Sequence, residues 1–291
     1  MVEFKNGKLY QGDCIEQLDN IADKSQQAII IDPPYNIQKD YWDIIPDYYN
    51  WMEEVFIALA PKLRDNGTFV FFHNDFRMMA ELDRRMESTD LIQRDFIVWN
   101  KRFDGSPRKG FLDGYVVKNN AHGFEKMAEY MLTYTKDNSW KLKEARERLG
   151  VKQTTISREI LSKTGGMTGW YSNLETGKNH PTRETIIPIE KHLGLSYEDL
   201  VPKFNTQKRQ HSIWNYDIER KQGHITPKPT QLLEELLLHY TDEGDQVLDC
   251  FAGSGSLGVS ANNLNRKFTL IERDEAYCEI IKKQLSINKL F

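Results

Sequence analysis

The chain has 291 residues but only three cysteines, and no apolar run approaches the length of about 20 residues that a membrane-crossing helix needs. Cys14, Cys250 and Cys278 are odd in number and unrelated in spacing, which fits neither a disulfide framework nor a zinc site. They are expected to be reduced and structural, and no metal is expected. The opening Met-Val-Glu-Phe-Lys-Asn lacks the apolar core of a signal peptide, so the expected location is cytoplasmic with no membrane contact. Cationic excess is missing too. The formal charge is −4, unpromising for a protein that would hold phosphates through lysine and arginine. Segment 139–206 goes the other way: 11 Lys/Arg stand against 8 Asp/Glu, a surplus of +3 that leaves −7 for the rest. Basic surface is therefore local, and the middle of the chain is one candidate for it.

What is present alternates strand-like and helix-like patterns. Gln27–Ile31 reads as a buried strand that stops at Asp32-Pro33-Pro34. From Asp47, a plausible N-cap, Trp51, Val55, Ala58, Leu59 and Leu63 share a helical face, and Asn66-Gly67 is expected to end that helix. Further strands are expected at 68–72, 96–99, 130–134 and 246–250, and Thr230 is expected to cap a leucine-rich helix over 231–240. This rhythm predicts a mainly parallel sheet covered on both faces, with ligands at the carboxyl ends of its strands. The middle breaks it. Helical stretches around 139–150, 153–162, 167–174 and 183–193 carry no strand signal and read as a small helical bundle, dividing the chain into 1–138, an insert at 139–206, and 207–291.

Two strand ends carry chemistry. At Asp32-Pro33-Pro34-Tyr35, a carboxylate and the Pro33 carbonyl can each accept a proton of an exocyclic base amine. Pro33 and Pro34 stiffen the loop, and Tyr35 offers a flat ring to a base extruded from its stack. An ordinary proline turn after a strand is the plain alternative. At the second end, Gly253, Gly255 and Gly258 have the spacing G-x-G-x-x-G, with Glu272 at the end of the next strand to accept ribose hydroxyls. That pattern describes NAD as well as S-adenosylmethionine, while the lack of Gly-Lys-Ser/Thr excludes a P-loop.

Taken together, Asp32-Pro33-Pro34-Tyr35 and Asp249-Cys250-Phe251-Ala252-Gly253-Ser254-Gly255 resemble the amino-methylating DNA methyltransferases, and the catalytic motif preceding the cofactor motif resembles their β class. Gly12-Asp13-Cys14, Trp99-Asn100-Lys101, Ile213-Trp214 and His224-Ile225-Thr226-Pro227-Lys228-Pro229 add to the likeness. The resemblance implies an α/β fold: a three-layer Rossmann-like methyltransferase sheet in permuted motif order, with a small all-α insert. It implies a methyl transfer from S-adenosylmethionine to adenine N6 in double-stranded DNA by base flipping, with Asp32, Pro33, Pro34 and Tyr35 catalytic. Asp249, Phe251, Gly253 and Gly255 would line the cofactor, Glu272 would hold its ribose, and Asp13 would sit near its adenine or act only as a cap. Thr226 and Lys228 would flank its methionine portion, although the family's usual wording there is His-Pro-Thr-Gln-Lys-Pro. Cytosine N4 is the alternative target.

The stretch 141–200 resembles the helix-turn-helix domain of phage Cro and repressor proteins, through Gly150-Val151-Lys152-Gln153, Leu174-Glu175-Thr176-Gly177-Lys178, Pro181-Thr182 and Leu193-Gly194-Leu195-Ser196. By that likeness 167–174 is a recognition helix, Thr168, Trp170 and Ser172 face bases, and Gln153 and Lys178 lie near phosphates. About four extra residues around 162–165 depart from the usual short turn. The basic stretch beginning Lys101-Arg102 is a second candidate for DNA contact. A packing or homodimer-forming bundle, a nicotinamide-dependent oxidoreductase, and a DNA-binding regulator on an inactive scaffold are the competing readings. The sequence names neither a recognition site nor a restriction partner.

Overall fold

The computed structural model describes residues 1–36, 43–101, 103, 127–206, 211–219 and 227–287. Among these residues nine strands form one sheet: β1 Val2–Phe4, β2 Gly7–Gln11, β3 Gln26–Ile31, β4 Leu63–His73, β5 Leu91–Asn100, β6 Ala128–Lys136, β7 Ile213–Asn215, β8 Gln246–Asp249 and β9 Lys267–Glu272. Their order is β1-β2-β9-β8-β3-β4-β6-β5-β7. Every residue of β3 is buried, as a run of Ala and Ile in the middle of a sheet requires. The sheet is less uniformly parallel than the alternation of elements predicts. β1–β2, β4–β6 and β5–β6 pair antiparallel, and the remaining five pairings are parallel.

Helices cover both faces. On one side α1 Cys14–Leu18, α2 Tyr48–Leu59 and α3 Phe76–Arg85 pack with Ile29, Ile31, Phe69 and Phe71. On the other, α9 Thr230–Tyr240, α10 Ser256–Asn263 and α11 Glu275–Ile287 pack with Ala28, Ile30, Val70 and Phe72. Alternate residues of β3 and β4 thus serve opposite layers, the period-two consequence of the pleat. Among the described residues no helix is long and apolar enough to cross a membrane.

Register sets where the chain leaves the sheet. Ile29 lies beside Leu248, Ile31 beside Phe71, and Gln11 beside Glu272, so Asp13, Asp32, His73, Phe251 and Glu272 all emerge at one edge. Because β6 runs antiparallel to β4 with Tyr130 opposite His73, its first residues return to that same edge.

Residues 140–200 form α4 Trp140–Arg148, α5 Gln153–Ser157, α6 Trp170–Glu175, α7 Ile186–Leu193 and α8 Tyr197–Leu200, which bury Leu142, Ile156, Tyr171, Leu174 and Ile189 among themselves. The bundle is fixed to the opposite edge of the sheet. Asn138 Nδ2 donates to the Asp65 carbonyl at 2.7 Å, Lys141 pairs with Asp65 at 2.7 Å, and the Lys203 amide donates to the Asn66 carbonyl at 2.9 Å. Eight residues of β4 separate Asp65 from His73, about 26 Å at the usual strand rise.

Several local expectations are corrected. Asn66-Gly67 does not end α2, which stops at Leu59 and passes through a 3-10 turn over Ala60–Lys62; both residues lie inside β4 beside a register shift in β3. Asp47 is the N-cap of α2 with φ of +51°, but its carboxylate takes Asn50 Nδ2 rather than the helix backbone. Pro229, not Thr230, caps α9, and the Thr230 amide is instead taken by Glu219 at 2.8 Å. The helix expected at 153–162 ends at Ser157, and the one expected from Met167 begins at Trp170. Between them Leu161 and Met167 form an isolated antiparallel bridge around Gly165, whose φ is +79°; glycines there favour a turn over helix.

A Cβ on Gly67 would lie 2.9 Å from the Gln27 carbonyl oxygen and 2.8 Å from Leu63 Cδ1. Gly67→Ala is therefore expected to destabilise the protein by about 1–3 kcal/mol, read as a lower urea midpoint. An unchanged midpoint would contradict the close approach of β4 to β3.

Candidate functional site

The strand ends enclose a cavity of about 680 Å³ lined by Asp13, Asp32, Pro33, Pro34, Tyr35, Asn74, Glu129, Lys228, Asp249, Phe251, Gly253 and Glu272, among others. Asp32 follows β3 and stands near the middle. Tyr35 Oη donates to its Oδ1 at 2.7 Å, and Lys228 Nζ donates to its Oδ2 at 2.5 Å. The loop is held from below by Tyr48, whose hydroxyl donates to the Pro34 carbonyl at 2.8 Å.

Lys228 lines the cavity that holds Gly253 and Glu272, and it is also paired. Its ammonium, on a residue only 8% exposed, lies against Asp32 and 3.2 Å from Glu129 rather than free toward a cofactor. Glu129 also binds the ammonium of Lys101, the residue expected on DNA, which stands 4.8 Å from the centre of the Trp99 ring. Burial alone would depress the pKa of Lys228, but Asp32 and Glu129 outweigh it and hold the pKa above its ordinary value. Burial likewise works to raise Glu129, and Lys228 and Lys101 overturn that, keeping it ionised. Two lysines and two carboxylates thus form one nearly neutral cluster. The sequence does not single out Glu129; its only signal is an acidic residue at the head of a strand that continues Tyr-Met-Leu.

Tyr35 is more enclosed than a free stacking platform would be. Its ring lies 4.6 Å, centre to centre, from that of His73, and burial followed by the charge of Asp32 raises its hydroxyl pKa well above normal. His73 is fully buried and accepts the Asp75 amide on Nδ1 at 2.9 Å. Burial lowers its pKa to about 4, so the imidazole is neutral.

At the other end of the cavity Glu272 accepts the Gly253 amide at 2.7 Å and the Asp274 amide at 2.8 Å. Burial raises its pKa, and those amides oppose the shift. Asp249 accepts the Phe251 amide at 2.9 Å and is pushed by burial to a pKa of about 8. Phe251 and Trp51, 5.6 Å apart, supply an aromatic wall. Asp13 caps α1 through the Ile15 amide at 2.9 Å and also lines the cavity, so both readings of it describe one position. Gly255 is corrected: it does not line the cavity, and a Cβ on it would meet Ile281 of α11 at 2.9 Å with φ at +82°. Its small size serves the turn and helix packing.

The charge of the lining discriminates between ligands. Among the described residues Asp13, Asp32, Asp43, Glu129, Glu272 and Asp274 line it with six carboxyl groups against Lys228 and Arg273, while Asp249, its pKa pushed to about 8, is mainly uncharged at neutral pH. Such a surface suits a cationic sulfonium with an ammonium and opposes the pyrophosphate of a dinucleotide. Carboxylate, aromatic wall and acidic lining together fit S-adenosylmethionine.

The residues expected on DNA are not all brought to a surface. Thr168 and Lys178 are exposed. Trp170 is turned into the bundle, its Nε1 donating to the Ser157 carbonyl at 3.1 Å; Ser172 bonds the Gly169 carbonyl at 2.9 Å, and Gln153 bonds Glu175 at 3.2 Å. Arg102 and Thr226 lie outside the described residues.

The Asp249 shift has a definite sign. A carboxyl whose folded pKa is raised stabilises the fold while protonated and loses that contribution as pH climbs toward the raised value. Asp249→Asn is expected to raise the thermal midpoint of the ligand-free protein near pH 8, with the gain shrinking as pH falls toward 4; a difference independent of pH would contradict the assignment.

Residues 26–283 match the family described as DNA methylase. The chain is 27% identical over 297 residues to the Type II methyltransferase M1.MboII of Moraxella bovis, covering 97% of this chain and 98% of that protein. It is 25% identical over 292 residues to the DNA adenine methyltransferase YhdJ of Escherichia coli, covering 96% and 82%. A solved structure, the M1.HpyAVI–SAM complex, superposes with a TM-score of 0.57 at 20% identity, covering 96% of this chain and 98% of that one. With the match spanning both strand-end motifs and the helical segment between them, the chain belongs to the DNA methylase family.

Proposed function

We propose that this protein methylates adenine N6 in double-stranded DNA, with S-adenosylmethionine as methyl donor and Asp32 as the residue that grips the target amine. The observation that carries this is the placement of Asp32 in one cavity with Gly253 and Glu272, although 240 positions separate Asp32 from Glu272 in the chain. When bound, S-adenosylmethionine supplies an electrophilic methyl. Glu272 holds ribose hydroxyls, Phe251 and Trp51 flank the adenine, and the acidic lining favours the cation. An exocyclic base amine is a weak nucleophile because its lone pair is delocalised into the ring. Asp32 and the Pro33 carbonyl accept its protons and draw the nitrogen toward tetrahedral geometry. Asp32 is also the nearest base for the proton the nitrogen sheds. Reaching that depth requires the nucleotide to leave the stack, and Tyr35 borders its path.

Lys228 and Glu129 act as positioning residues. The ammonium fixes one oxygen of Asp32 while Glu129 and Lys101 balance its charge. The helical segment 139–206 is assigned to DNA as well, but at a distance. Its anchor at Asp65 lies eight positions along β4 from His73, roughly 26 Å at the usual strand rise, which supports a role for Thr168 and Lys178 away from the methylated base. That distance is about three quarters of a duplex turn, which suits flanking sequence rather than the target itself.

Cytosine N4 offers the same kind of amine, and the Asp at the head of the tetrapeptide favours adenine. Nucleoside analysis of DNA from expressing cells is expected to show N6-methyladenine; N4-methylcytosine would move the target, and no modified base would favour a regulator. Glu129→Gln is expected to lower the transfer rate by at least about tenfold with cofactor affinity retained. Glu129 helps to hold the Lys228 pKa above its ordinary value, so losing that negative charge should move the alkaline limb of the pH–rate profile to lower pH. An unmoved profile would make Glu129 merely structural.

A further inference from the structure

The cavity has a direction. Glu272 and Gly253 sit at the ends of β9 and β8 on one side of Asp32, whereas Asn74 follows β4 on the other side. Because β3 lies between β8 and β4 in the sheet, Asn74 is on the side of the catalytic carboxylate away from the glycine turn. Asn74 lines the cavity, and its Oδ1 is buried with no hydrogen-bond partner among the described residues. A buried acceptor left unpaired costs about 1–3 kcal/mol, so its retention needs an explanation.

The turn that carries Asn74 is rigid. On one side the Asp75 amide is tied to His73 Nδ1 at 2.9 Å, and His73 is fully buried behind Tyr35. On the other, the Asp75 carboxylate caps α3 by accepting the Arg77 amide at 3.0 Å and the Met78 amide at 3.2 Å. Asn74 is thus fixed between two anchored neighbours in the cavity wall, with its Oδ1 unsatisfied among the described residues. A side-chain amide offers one acceptor and one donor side by side. Its complement is an amino group adjacent to an unprotonated ring nitrogen, the pattern on the Watson–Crick edge of adenine.

We propose that Asn74 is a base-gripping residue that binds the Watson–Crick edge of the extruded nucleotide. Its Oδ1 shares with the Pro33 carbonyl the amino proton that Asp32 does not take, and its Nδ2 donates to the ring nitrogen beside it. The proposal rests on the methyltransferase reading above and adds the residue that orients the target ring.

The test first maps the base modified by the wild-type protein, then uses a synthetic duplex carrying either that adenine or 1-deazaadenine, which lacks the ring acceptor; 3-deazacytosine takes its place if the mapped base is cytosine. kcat/KM is measured on both duplexes for the wild type and for Asn74→Leu, a variant of similar size without polar atoms. Asn74→Leu is expected to lose about 10- to 100-fold on the natural duplex while its affinity for S-adenosylmethionine is unchanged. The deaza base should cost the wild type a similar factor and cost the variant little more, because the contact is already gone. If Asn74→Leu fails to fold, Asn74→Ala goes through the same cycle. Activity of the variant within about twofold of wild type, or an equal deaza penalty in both proteins, overturns the proposal. A wild-type protein that modifies no DNA brings down the underlying reading and this proposal with it.

Discussion

The ammonium of Lys228 is buried between Asp32 and Glu129, and the Asp32 end of the cavity depends on that arrangement. Taking three charges out of water costs several kcal/mol each unless they pair closely and find further hydrogen bonds. Here the pairing is supplied by residues from distant parts of the chain: Asp32 after β3, Glu129 at the start of β6, and Lys228 just before α9, with 196 positions between Asp32 and Lys228. The fourth member, Lys101 at the end of β5, closes the charge balance. Removing Lys228 takes from Asp32 its ion-pair partner, so the cluster ties together residues from both halves of the sheet. That gives Asp32 a fixed orientation before any ligand arrives.

From this centre the molecule has a polarity that follows the sheet. On one side lie Gly253, Glu272 and the aromatic pair Trp51 and Phe251; on the other lie Asn74, His73 and Tyr35. A donor and an acceptor can therefore approach Asp32 from opposite directions, the arrangement a direct transfer needs. The acidic lining completes the division by favouring a cationic donor and opposing a phosphate there. DNA phosphates must accordingly be met outside the cavity. The helical segment on the far edge, which carries a local cationic surplus, is the place proposed for that.

Legibility in the sequence followed physical locality. β3 and β8 were readable because central strands must be continuously apolar, and their ends because Asp-Pro-Pro-Tyr and the glycine turn are contiguous. The antiparallel pairing of β6 was not readable, since nothing in Tyr130–Tyr134 encodes the direction of its neighbour. Glu129 and Lys228 became interpretable only in space: each is an isolated charge in sequence, and their meaning is the pairing. Gly255 misled in the opposite sense, because a ligand-facing glycine and one that makes room for Ile281 have the same spacing. In the helical segment, glycines at 165, 166 and 169 delayed the start of α6, and Trp170, expected outward, turned inward to complete a small core.

The central claim is that Asp32 serves the amine and not the cofactor. Its most direct test is Asp32→Ala, followed by calorimetric titration with S-adenosylmethionine and by methyl transfer to DNA that the wild type modifies. Cofactor affinity should persist while transfer falls below detection. A variant that still methylates DNA at a rate comparable to wild type would contradict the account.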